Sequence, residues 1–180
     1  MTTTHTKIMS VGLTLGFLLG APASFSGTRI GSARIVDPSL NFASQLSDKW
    51  VETGKTFGEG RIISPFANTN LWITGSNGIS VRPRFLIEPS DSLYPDMKHA
   101  SRAQVVARFE NDPNWSARTT KTPCARAYLS SGNTDVRAVI FWGAQRGIVS
   151  IGSASPDVLA AIELFVSEFE VLSGACQWKK

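Results

Sequence analysis

The chain has 180 residues, 42% hydrophobic and 18% charged, with a formal net charge of +4. That length and balance suit one globular domain able to bury its own core, and they exclude a polyelectrolyte or a disordered tail. The small positive excess is scattered over Arg82, Arg84, Arg102, Arg108, Arg118, Arg126, Arg137 and Arg146 rather than run together, which argues against a nucleic-acid binder.

In chain order the first element is an export signal. Lys7 precedes an uncharged, mostly apolar run from Ile8 to Gly20, and Ala21-Pro22-Ala23 offers the small-x-small pattern at which signal peptidases cut. The run is about 13 residues, short of the roughly 18–20 that span a bilayer. Residues 1–23 are therefore read as a cleaved signal peptide, residues 24–36 as a flexible lead-in and residues 37–180 as a single α+β domain, exported to the periplasm or the medium. No integral membrane segment is expected in the mature chain.

Asp37-Pro38 has the form of a helix start, with Asp37 as cap and Pro38 at the first position. Leu40, Ala43, Leu46 and Trp50 recur near helical spacing, so a helix is predicted to about Glu52. Leu71–Thr74 and Ile79–Val81 then read as a hairpin around Gly75-Ser76-Asn77-Gly78. The strand runs on through Phe85 and Ile87, and Pro83 suggests an edge or a bulge. Pro89–Lys98 is rich in turn residues. Ser101 with Gln104 makes a capping box that opens a short helix carrying Val105, Val106 and Phe109. Ala125–Ser130, Val136–Trp142 and Ile148–Ser153 form a meander, and the middle strand is apolar enough to be covered on both faces. Ser155-Pro156-Asp157 starts a final helix whose stripe of Val158, Leu159, Ile162, Phe165, Val166 and Phe169 is predicted to reach Leu172. The expected architecture is an antiparallel sheet, a hairpin plus a three-stranded meander, packed with two or three helices, the C-terminal one covering the sheet.

Export changes how Cys124 and Cys176 are read. In an oxidising compartment a single even pair points to one disulfide. It would close a loop of about 50 residues and contribute roughly 4 kcal/mol in the chain-entropy model.

The chemistry-bearing residues point away from catalysis. Beyond the signal the one histidine is His99, in a loop, and no Gly-x-Ser-x-Gly elbow accompanies it. No cysteine or histidine spacing matches a zinc site, and the Asp91/Asp96 loop lacks calcium-loop spacing, so no metal or cofactor is expected. Gly58-Glu59-Gly60 and Gly27–Ser32 lack the phosphate-loop order. Asn114-Trp115-Ser116 matches the glycan-acceptor pattern. Glu88, Asp91 and Asp96, with Glu59, form the one acid group suited to glycoside chemistry. The surplus lies in tryptophan. Trp50 and Trp142 belong to core stripes, whereas Trp72 in the hairpin, Trp115 after a helix stop and Trp178 near the C-terminus stand where side chains are often exposed, with arginines such as Arg82, Arg84 and Arg118 beside them. Aromatics among arginines are typical of contact surfaces.

Two functions follow as expectations. The first is an exported interaction protein of the cell envelope, an accessory, inhibitor or secretion-associated factor, that meets another exported protein through Trp72, Arg82, Arg84, Trp115 and Arg118. The alternative is a small hydrolase or glycan-binding protein using Glu88, Asp91 and Asp96 with an exposed tryptophan. A carrier of a small apolar ligand, held between the sheet and the last helix, is a third possibility.

Overall fold

The computed structural model describes residues 33–55, 60–65, 73–74, 80–81, 83–143, 146–174 and 176. The predicted signal peptide, Glu59, Trp72, Arg82, Trp178 and the turn at residues 75–79 lie outside these. Strands dominate. They are β1 (Ala33–Asp37), β2 (Phe42–Leu46), β3 (Trp50–Lys55), β4 (Arg61–Pro65), β5 (Ile73–Thr74), β6 (Ser80–Val81) and β7 (Phe85–Pro89), followed by β8 (Ser116–Arg118), β9 (Ala125–Ser131), β10 (Asp135–Trp142), β11 (Arg146–Ser153) and β12 (Glu170–Val171). Two α-helices, α1 (Arg102–Phe109) and α2 (Pro156–Ser167), complete an α+β fold among the described residues. All strand pairs are antiparallel, in a seven-stranded sheet ordered β3-β4-β7-β11-β10-β9-β8, a three-stranded sheet ordered β1-β2-β12, and the β5-β6 pair.

The helix predicted after Asp37 is not there; the segment forms β1, β2 and β3, and β1 begins within the stretch read as lead-in. Asp37 does act as a cap, but on a hairpin turn. Its Oδ1 accepts from the Ser39 N–H at 3.1 Å, the Ser39 hydroxyl at 2.6 Å and the Leu40 N–H at 3.1 Å. Asn41 then takes φ 60°, a left-handed conformation open to Asn, and the chain reverses into β2. The apparent helical spacing is accidental: Leu40 lies in the turn, Ala43 and Leu46 fall on opposite faces of β2, and Trp50 starts β3, while Ile35 and Asp37 on β1 face the same way as Phe42, Ser44 and Leu46.

The β5-β6 pairing follows the expected hairpin, with Ile73 opposite Val81 and Thr74 opposite Ser80. Pro83 does not mark an edge. It precedes β7, and β7 lies inside the sheet between β4 and β11. The predicted meander is present as β9, β10 and β11. On β10, Ala138, Ile140 and Trp142 enter one buried cluster, and Val139 and Phe141 enter another. The middle strand is thus covered on both faces.

Both helices start as their sequences dictate. In α1 the Ser101 hydroxyl accepts from the Gln104 N–H, and Gln104 Oε1 accepts from the Ser101 N–H at 2.7 Å. In α2 the Ser155 hydroxyl accepts from the Val158 N–H ahead of Pro156. The last helix ends at Ser167, not near Leu172. Phe169 leaves the helical path, stays buried and stacks on Phe42 at 5.2 Å, and β12 pairs with β2. The pull of that aromatic pocket and of an open sheet edge overrides the helical pattern.

The larger core joins Val158, Ala161, Ile162, Phe165 and Val166 of α2 to residues of both larger sheets. Gly152 permits the helix to approach β11, because an added Cβ would run into Val158 Cγ1 and sit 3.0 Å from Phe85 Cβ. Arg61 on β4 clamps the small sheet to the large one, donating to Asp37 Oδ2 at 2.8 Å and to Glu52 Oε2 at 2.8 Å. Burial alone would raise the Asp37 carboxyl, but hydrogen bonds from Ser39, Arg61 and Leu40 outweigh it and hold the group below its ordinary value. Cys124, ahead of β9, and Cys176, after β12, form the predicted disulfide, with Cα atoms 4.5 Å apart. Among the described residues, no helix is long and apolar enough to cross a membrane.

Candidate functional site

The predicted contact residues separate in space. Arg84 is exposed just before β7, and Arg118 is exposed on β8 at the far edge of the sheet. Four strand spacings lie between these strands, about 19 Å at ~4.8 Å per spacing. Ser116 and Arg118 share the α2 side of the ladder with Ala127 and Leu129 of the larger core. Trp115 instead packs into the cluster on the opposite side, beneath α1.

It is on this α1 side that reactive and recognition-prone groups converge. β7 leads into two short 3-10 turns, Ser90–Ser92 and Pro95–Met97, which place Tyr94 between sheet and helix. Phe109, at the end of α1, anchors the group. Tyr128 stacks on it at 5.3 Å, and Tyr94 and Trp115 meet it edge-on at 5.8 and 4.9 Å. The Arg108 guanidinium lies 4.8 Å from the centre of the Tyr94 ring, a cation–π contact, while its Nη1 pairs with Asp96 Oδ2 at 2.5 Å. From β10, Arg137 donates to Asp135 at 2.5 Å and to Tyr94. The bond to Asp135, then that to Tyr94, hold its guanidinium even more firmly protonated than usual. Beneath them the Tyr128 hydroxyl donates to Glu110 at 3.0 Å, and burial followed by that carboxylate pushes the phenol well above its ordinary range. Leu93, 40% exposed, adds an apolar flank.

The chain matches no protein-family model and no curated protein sequence. Its reading therefore rests on the groups themselves.

The acids of the alternative reading also lie near this face, each with its own surroundings. Asp96 is paired with Arg108, and Asp91 lies 3.4 Å from Lys98. Glu88 is half-buried on β7 opposite Val149. His99 is exposed. Among the described residues, no group of three or more His, Cys, Asp or Glu side chains is arranged to hold a metal ion. The arrangement is an aromatic centre ringed by balanced ion pairs, which suits holding a surface more than transferring a proton.

Trp115 and Asp96 were visible as candidates in the sequence, whereas Tyr94, Arg108 and Arg137 were not singled out as partners. They are far apart along the chain. Only the capped start of α1 and the β10 register bring them together, and no spacing rule could show that.

Proposed function

We propose that this is an exported, disulfide-stapled interaction protein that works by contact with another exported or envelope protein. The single observation that carries this reading is the arginine–aromatic surface beside α1, where Tyr94 sits between Arg108 and Arg137 with Trp115 and Leu93 alongside. Tyr, Trp and Arg are the residues in which binding energy concentrates at protein interfaces, inside a polar rim such as the Asp96, Asp135 and Lys98 charges provide here. Export is supported by the leader pattern of residues 1–23 and by the disulfide, which persists in oxidising compartments.

The test uses the tagged chain produced in its own cell envelope. A stoichiometric protein partner is expected with the wild type and is expected to be lost with Tyr94→Ala combined with Arg137→Glu, while the circular dichroism of the variant is unchanged. Retention of the same partner by the folded double variant, or recovery of a glycan or lipid with no protein, would overturn the reading.

A further inference from the structure

We propose that a second site, in the groove between β8 and α2 on the opposite face of the sheet, binds a neutral polyhydroxylated ligand such as a segment of glycan. The groove encloses about 460 Å³, within the range of small-ligand clefts. Its walls are Asn114 and Ser116 on one side, Ser131 at the end of β9, and Leu159 and Glu163 on α2, with Arg118 reaching across. Arg118 Nη2 and Glu163 Oε1 stand 3.8 Å apart, beyond the 2.7–2.9 Å of a charge-assisted hydrogen bond, and both side chains are partly exposed.

The charge pattern selects the ligand class. One guanidinium and one carboxylate leave the lining without net charge, so an anion meets Glu163 and a cation meets Arg118. A vicinal diol satisfies both: one hydroxyl accepts from Arg118 while its neighbour donates to Glu163. The Ser116 hydroxyl, which donates to the Leu129 carbonyl at 3.3 Å, keeps its acceptor capacity for a further hydroxyl. Leu159 offers an apolar patch to the C–H face of a sugar ring. An extended peptide adding to β8 is the less favoured occupant. That strand is three residues long, and Arg118 Nη1 donates to the Ala117 carbonyl at 3.3 Å, so the edge is short and charged, as protected edges are.

The test is amide NMR of the full chain with its disulfide intact, titrated with cellotetraose, maltotetraose and N-acetylglucosamine trimer at millimolar concentration. At least one saccharide is expected to shift Asn114, Ser116, Ser131 and Glu163 and to leave Tyr94 and Arg137 unmoved. Glu163→Gln is expected to weaken that binding roughly tenfold, because the amide oxygen still accepts the hydroxyl but without the charge that strengthens the bond. Because Glu163 is exposed, the variant should keep the wild-type spectrum elsewhere. The proposal is overturned if no saccharide shifts these amides, if Glu163→Gln binds as tightly as the wild type, or if a neutral peptide of alternating Ser and Val shifts them where the saccharides do not.

Discussion

Among the described residues, the face of the seven-stranded sheet that meets α2 and the small sheet buries 22 residues in one cluster, whereas the α1 face buries six. Apolar burial stabilises roughly in proportion to area, so the α2 face carries most of the folding free energy. The α1 face is thinner and mixes aromatic rings with paired charges. Its aromatic rings are tied to arginines and carboxylates at the surface rather than sealed beneath a layer of aliphatic side chains. The lesson is a division of labour under the proposed function: one side of the sheet holds the molecule together, and the other would be left with rings and charges for contact.

Substitutions can break this contrast, beginning with the core. Phe165→Ala, which empties a fully buried position touching Phe42 and Phe169, is expected to cost about 4 kcal/mol in chemical denaturation. Replacing both Cys124 and Cys176 with Ser should cost about the same if unfolded-chain entropy dominates, and a loss below about 1 kcal/mol would contradict that account.

The clamp between the sheets comes next. Arg61→Leu leaves Asp37, the one buried charged side chain among the described residues, without its cation, and a loss of about 3 kcal/mol is expected. The pH dependence has a definite sign. Folded Asp37 titrates below its ordinary 3.8, so its contribution is complete above that value and is lost as pH falls through the lower folded value. Acid unfolding followed below pH 3.8 should therefore be shallower in Asp37→Asn than in the wild type. Gly152→Ala, which forces α2 away from β11, should cost about 2 kcal/mol by the same denaturation measurement. The smallest effect on stability is expected on the α1 face. Arg108→Ala removes a partly exposed cation–π contact and ion pair, worth no more than about 1 kcal/mol, yet should abolish partner binding.

The C-terminal half of the fold was legible from its residues because local chemistry and tertiary packing agree there. Ser101 with Gln104, Ser155 with Pro156, and the Val136–Trp142 run all do what their patterns imply. The stretch from residue 37 to 52 was misread because Asp37-Pro38 serves equally well to cap a helix or a hairpin, and Leu40, Ala43, Leu46 and Trp50 fit a helical stripe by coincidence, whereas the β5-β6 hairpin further on was legible. Only the pairing of β1 with β2, and of β2 with β12 from the other end of the chain, decides between them. Phe169 was misassigned for a related reason: its partner ring on Phe42 is remote in sequence. The candidate site was legible only in Trp115 and Asp96, since Tyr94, Arg108 and Arg137 become neighbours through sheet register and not through spacing.

Site-specific photocrosslinking in the producing cell tests the division of labour most directly. A photoreactive residue in place of Leu93, which is 40% exposed beside Tyr94, is compared with one in place of Val36, which is 45% exposed on β1 of the small sheet. The account predicts a discrete covalent adduct with one protein from the Leu93 position and none from Val36. Adducts from Val36 alone, equal adducts from both positions, or none from either would contradict it.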